Sequence, residues 1–284
     1  LHESEIEALI TYIKLESRKK LDEQNPNLLY VMQNDFFYCR FSIDIFPNHW
    51  KNIGIDIRKL NIEVYDIFDL IQKGTLNTSI SLFLILCILL RINITICGEI
   101  NSGKTTLLNA LDLIVPSNYR KIYVEDTIET LDIPFKKSYQ LKFIPQKKKK
   151  REESGKENEI YKLLHRSGDY IFIGEILTRN ETHALFHALS VGLKGIQTTH
   201  AANVKALINR WVIHYSINKN CLNDLGIIIS MKKIGIRRKI ISIHEIIFNN
   251  KTNLIEYHPI FRYNLKRRSR SEERRVGKEC ATGC

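Results

Sequence analysis

The sequence predicts an α/β fold: a mostly parallel sheet covered by helices on both faces, preceded by a smaller α/β domain. Three observations predict it. From residue 93 onward, short apolar runs of strand character alternate with segments of helical spacing, the pattern that builds parallel sheets. One strand–helix junction carries a glycine loop of the form G-x-x-x-x-G-K-[ST], at Gly98–Thr105. Residues 1–72 differ in texture, with an amphipathic stretch followed by short aromatic-rich runs. At 284 residues the chain can form one large domain or two ordinary ones without covalent staples.

Residues 1–20 place Ile6, Leu9, Ile10 and Ile13 at helical spacing between charges. With Leu1 at the start instead of Met, this is read as a chain cut upstream, not as a signal or transit peptide. Short strands are expected at Phe36–Tyr38 and Phe41–Phe46, followed by Ile55-Asp-Ile-Arg-Lys59. Gly74–Thr78 carries turn and cap signals, so the expected boundary places residues 1–72 in the smaller domain and 73–78 in a linker. The larger domain is expected over 79–269.

Ile80–Leu90 is the most apolar stretch, at eleven residues before Arg91. A membrane span needs about 20, so a buried helix is expected. Asn93–Cys97 reads as a strand ending on glycine. Thr105–Val115 then shows helical spacing at Leu107, Leu108, Leu111 and Ile114, stopped by Pro116. Further strands are expected at Lys121–Glu125, Tyr170–Gly174, Gly195–Thr199 and Gly226–Ser230. Between the second and third, Thr178-x-x-Glu181 forms a capping box, Ala184, Leu185, Ala188 and Leu189 make an apolar face, and Gly192 ends the helix. Arg237–Phe248 reads as an extended segment near the far edge of the sheet.

Arg270–Cys280 resembles the in-frame translation of a common short-read sequencing adapter, so residues 270–284 are set aside from fold reasoning. They hold four cations and three acids, and the formal net charge falls only from +12 to +11 without them. Setting aside Cys280 and Cys284 leaves Cys39, Cys87, Cys97 and Cys221, scattered and without a C-x-x-C pair; reduced thiols of a cytoplasmic protein are expected. The positive surplus is densest at Lys147–Arg151. Such a run beside Glu152 and Glu153 is ordinarily a solvated loop; contact with anionic lipid headgroups or with nucleic acid is the sharper alternative.

The chemistry is concentrated at the glycine loop, Gly98-Glu99-Ile100-Asn101-Ser102-Gly103-Lys104-Thr105, with Thr106 following. The glycines let successive N–H groups turn onto phosphate oxygens. Lys104 brings a point charge for the β- and γ-phosphates, Thr105 brings a hydroxyl for Mg²⁺, and the helix N-terminus adds its partial charge. Mg-ATP is the implied ligand. Hydrolysis further requires a carboxylate to hold the attacking water. Glu175, at the end of Ile171-Phe-Ile-Gly-Glu175, can do so and can approach Mg²⁺ through water; Glu125, in the cluster Glu125-Asp126-Thr-Ile-Glu129, is its rival. His200, in Thr198-Thr-His-Ala201, follows another strand. Ligands bind outside the carboxyl ends of parallel strands, so these groups are expected at one sheet edge.

The order of P-loop, Glu125-Asp126-x-x-Glu129, Gly174-Glu175 and Thr199-His200-Ala201 resembles the type II and type IV secretion ATPases, including the motors of type IV pili and archaeal surface filaments. Ala188-Leu-Ser-x-Gly192 and Gly195-Ile-Gln-Thr-Thr-His-Ala201 resemble the archaeal branch. The resemblance covers about residues 53–248, including Ile55-Asp-Ile-Arg58. It implies a RecA-like motor domain behind a smaller α/β domain, a homo-hexameric ring at the cytoplasmic face of the membrane, and an integral membrane platform protein as partner. It also implies an acidic box at Glu125, Asp126 and Glu129, a Walker B glutamate at Glu175 and a histidine box at His200. Arg166 and Arg58 fall where the family has arginines that reach nucleotide phosphates. The family's arginine and glycine after the Walker B glutamate are replaced by Ile176-Leu177-Thr178-Arg179, and its bacterial tetracysteine module is missing. Two alternatives stay open: a nucleic-acid translocase on the same core, and a nucleotide-binding scaffold that does not hydrolyse.

Overall fold

The computed structural model describes residues 2–33, 38–48, 53–59, 64–126, 128–130, 139–145 and 155–263. The basic run 147–151 and the set-aside segment 270–284 lie outside these residues. The chain separates into two compact units, residues 1–64 with 127–129, and residues 65–126 with 130–284.

In the first unit, helix α1 (Glu3–Ser17) is followed by the antiparallel sheet β1 (Asn27–Gln33), β2 (Tyr38–Ile45) and β3 (Ile53–Lys59) in that order. The helical spacing of α1 works as expected: Ile10 and Ile13 join Leu21, Leu28, Met32, Phe41 and Ile43 in one core. Strand β3, one of the two edges, is largely exposed.

The second unit holds α2 (Ile67–Gln72), α3 (Thr78–Leu89), β4 (Ile94–Gly98), α4 (Lys104–Asp112), β5 (Arg120–Val124), β6 (Tyr139–Phe143), α5 (Gly155–Lys162), β7 (Tyr170–Ile176), α6 (Arg179–Ser190), β8 (Gly195–His200), α7 (Val204–Asn209), β9 (Ile227–Ile234), β10 (Arg237–Asn249) and β11 (Leu254–Arg262). Its sheet runs β11-β10-β9-β4-β8-β7-β5-β6. Strands β9, β4, β8, β7, β5 and β6 are mutually parallel; β10 and β11 complete the sheet as antiparallel neighbours.

Alternation along each strand builds a core on each face. Ile94 and Ile96 of β4 meet Leu107, Leu108 and Leu111 of α4 and the buried side of α3. Cys97, Ile171 and Ile173 face the opposite way, onto Leu185, Ala188 and Trp211. Burial pushes the Cys97 thiol up to about 12, which leaves it a neutral packing group.

Three expectations need correction. The domain boundary was expected at 73–78, yet the larger unit begins at Tyr65, because Ile67 and Leu70 of α2 pack into the same core as α3 and α4. The apolar stretch Ile80–Leu90 does form a helix, α3, but only Ile80, Ser81, Leu84, Cys87 and Ile88 are buried. Leu82, Leu86, Leu89 and Leu90 are each more than half exposed; a helix apolar all round still meets the sheet with one stripe. Lastly, β7 continues two residues past Gly174, so Glu175 lies within the strand and not at its end.

The helix that carries the P-loop is tied to β5 by a buried polar network. Lys121 Nζ donates to the main-chain oxygen of Asp112 (2.9 Å) and to its carboxylate (2.8 Å). Tyr123 Oη donates to the other carboxylate oxygen (2.8 Å) and accepts from Gln140 (2.9 Å). Lys121 and Asp112 are nearly fully buried, 2% and 3% exposed. Removing one member strands the other in the core. Lys121→Met is therefore expected to lower unfolding stability by about 3–5 kcal/mol, and the double variant Lys121→Met/Asp112→Leu by less. Urea unfolding midpoints check this: a double variant as unstable as the single would refute it.

Candidate functional site

Strand β4 ends at Gly98 and the loop delivers the chain to α4 in five residues. Gly103, immediately before the helix, has φ +93°, a conformation that a side chain would strain. A Cβ there would also press on Arg238 at 3.2 Å. The loop folds tightly enough to bury Ser102, whose Oγ has no hydrogen-bond partner among the described residues. Glu99 and Ile100 are exposed at its crest, and Asn101 takes a positive φ of 60°. Thr105 and Thr106 occupy the first turn of α4.

Lys104 is 8% exposed and curls over the loop. Its Nζ donates to the main-chain oxygens of Gly98 (3.2 Å) and Glu99 (3.0 Å) and lies 3.2 Å from His200 Nδ1. An ammonium can only donate, so Nδ1 is the acceptor and the hydrogen sits on Nε2. That Nε2 is paired with the Glu175 carboxylate. Lys104, His200 and Glu175 thus form one continuous chain, joining the P-loop to β8 and β7. Both distal members reach solvent, with His200 32% and Glu175 34% exposed.

Glu175 is presented by a bulge. The β7–β8 register shifts between Ile173 and Glu175, so Gly174 has no ladder partner. The main-chain oxygens released there are taken up by side chains: Gly174 by Thr198 (3.3 Å), Glu175 by Lys156 (2.6 Å) and Ile176 by Thr199 (2.8 Å). Arg210 donates in turn to the Thr199 hydroxyl at 2.9 Å. Gly174 is needed for proximity: a Cβ would sit 3.2 Å from Glu125 Cγ.

The three carboxylates of the expected acidic box each have a different side-chain partner among the described residues. Glu125, just past β5, is 5% exposed and accepts from the Thr130 hydroxyl at 2.5 Å. Asp126 pairs with Lys156. Glu129 belongs to the first unit, where its carboxylate meets Arg40 at 3.1 Å. Each of the three thus meets its own cation or hydroxyl. Arg166 is likewise committed elsewhere: it pairs with Glu159 and lies 3.5 Å over the Phe143 ring, with no P-loop contact among the described residues. Arg58 lies exposed on β3 of the first unit, in register with Arg40. Arg179 opens α6 and is exposed.

Lys156 was missed from the sequence. It is 1% exposed and joins the Asp126 carboxylate to the main chain of Glu175. Its place after a run of cations, at the start of a short polar helix, conceals it.

The chain matches a family model described as type II/IV secretion system protein over residues 3–234. It is 29% identical over 208 residues to protein MJ1287 of Methanocaldococcus jannaschii, spanning 69% of this chain and 74% of that protein. With MJ0900 of the same organism it is 33% identical over 176 residues, 60% of this chain but only 30% of that protein. Among solved structures, the pilus retraction motor PilT with bound ADP superposes with a TM-score of 0.61 at 20% identity, over 96% of this chain and 75% of that one. The ATPase DotB of Yersinia pseudotuberculosis gives 0.58 at 17% identity, over 98% and 76%. At such identities the likeness speaks for the fold, a RecA-like ATPase domain preceded by a smaller one.

Proposed function

Since this chain belongs to the type II/IV secretion system protein family and is an ATPase, we propose that it hydrolyses Mg-ATP at the P-loop to drive a secretion or pilus-like filament machine. The observation that carries this reading is the chain Lys104–His200–Glu175, which joins the phosphate-binding lysine to a solvent-accessible carboxylate through one imidazole.

The loop suits an anionic ligand. Ser102 Oγ is a buried polar atom that a bound phosphate would satisfy, and the N-terminal end of α4 adds the partial positive charge of a helix terminus. Thr105 would hold Mg²⁺, which when bound neutralises charge on the β- and γ-phosphates. When ATP enters, Lys104 exchanges the Gly98 and Glu99 carbonyls for phosphate oxygens, which are stronger acceptors. His200 then loses the partner at Nδ1 and keeps Glu175 at Nε2. It therefore senses that the site is filled and relays this along β8. Glu175 orients the attacking water. Glu125 is its rival for that role, and its burial beneath Thr130 argues against it, because a group that handles water must reach water. Arg58 and Arg166 act, on this reading, on phosphates bound by a neighbouring copy.

The working assembly is a homo-hexamer at the cytoplasmic face of the membrane, bound to an integral membrane protein of the machine. Family membership supports it. Among the described residues no helix is long and apolar enough to cross a membrane. The test is Mg²⁺-dependent phosphate release measured across protein concentration. Specific activity is expected to rise with concentration as sites complete one another. A flat profile would refute an intersubunit site, and ATP binding with no release at any concentration would favour the scaffold alternative.

A further inference from the structure

Strand β9 pairs with β4 on the side away from β8, with Met231 opposite Gly98. It continues to Ile234, three residues beyond that pairing. The β9–β10 hairpin therefore stands about 10 Å above the sheet edge, directly beside the P-loop. It turns at Gly235-Ile236, with Gly235 at φ +57° and Ile236 86% exposed.

The hairpin is strongly cationic. Lys232, Lys233, Arg237 and Arg238 are exposed. No acidic side chain pairs with any of them among the described residues. Register makes this costly, since Lys233 lies directly opposite Arg238, and Lys232 opposite Lys239. Like charges facing each other across two strands destabilise a hairpin. Lys239 resolves its side by donating to the Gly74 oxygen at 2.7 Å. The other pair shares the face that touches the loop, and a single long bond from Arg238 is its outlet. Arg238 lies against Gly103, and its Nε donates to the Asn101 oxygen at 3.4 Å.

We propose that Arg238, assisted by Lys233, is a nucleotide-binding element outside the P-loop, contacting the α-phosphate end of the bound nucleotide. The proposal rests on the P-loop reading above. Glu175 and His200 lie on the β8–β7 side of the loop, so the reacting γ-phosphate belongs there. The remaining nucleotide must extend across the loop toward β9. An anion at that point relieves the Lys233–Arg238 repulsion. It also uses the planar guanidinium, which suits phosphate better than an ammonium does.

The test is equilibrium titration of the full chain with ADP and with ATP at several salt concentrations. Arg238→Ala is expected to weaken both nucleotides about tenfold, with their ratio unchanged and the salt dependence reduced. Arg238→Lys should recover part of the loss, and Lys233→Ala should cost about threefold. Far-UV circular dichroism confirms folding, and Lys104→Ala serves as the reference for a lost site. If wild type binds and Arg238→Ala binds within twofold of it, the hairpin proposal is overturned while the P-loop reading stands. If Arg238→Ala alters only the concentration dependence of turnover, the hairpin meets a neighbouring copy and the proposal likewise fails. If folded wild type binds neither nucleotide, the P-loop reading falls and the hairpin's role falls with it.

Discussion

Glu175→Gln is expected to bind ATP as wild type does and to lose about 10²–10³-fold in turnover, on the order of 3–4 kcal/mol of transition-state stabilisation. The substitution is suited to the geometry. Glutamine keeps an oxygen that can accept from His200 Nε2, so the Lys104–His200 arrangement survives while the charge goes. The bulge and its side-chain supports from Thr198, Lys156 and Thr199 involve only main chain, so they are untouched. Turnover and nucleotide affinity should therefore separate. Single-turnover phosphate release beside a binding titration checks this. Unchanged turnover would transfer the water-orienting role away from Glu175, and parallel loss of binding would point to a ground-state contact instead.

Lys104→Ala is expected to abolish measurable ATP binding, a loss of at least about 10²-fold, and with it all phosphate release. Lys104 has a structural share too, because it satisfies the Gly98 and Glu99 carbonyls from a nearly buried position. Leaving them unmatched costs about 1–3 kcal/mol of stability. Lys104→Arg separates the two effects: it retains the charge and donors but is too bulky for the loop, so stability should recover more than binding. Retained ATP binding in a folded Lys104→Ala protein would remove the P-loop from the mechanism.

Much of the α/β framework was legible because it depends on local chemistry. The capping box Thr178–Glu181 forms as its residue types dictate, with Glu181 bonded back to the main chain of Leu177 and Thr178. The elements β6, α5 and β11 were not legible. Strand β6 is a short, half-exposed edge, α5 is polar, and β11 is partly exposed, so none shows a decisive period. The one-sided burial of Ile80–Leu90 has the same root, since apolar character marks a helix for contact without saying which side receives it.

By itself the sequence indicated a glycine loop of phosphate-binding type between a buried strand and a helix, with a carboxylate and a histidine carried by two further strands. Those are properties of residue type and spacing, which backbone sterics and strand periodicity convert directly into local structure. Only the tertiary structure decided which of these groups meet. Lys104, His200 and Glu175 are joined because β4 and β7 flank β8 and a bulge re-aims one side chain. Glu125, Asp126 and Glu129, close in sequence, meet Thr130, Lys156 and Arg40, because a buried carboxylate such as Glu125 and a buried ammonium such as Lys156 each require a partner. Strand order and charge satisfaction are long-range conditions, and no window of sequence contains them.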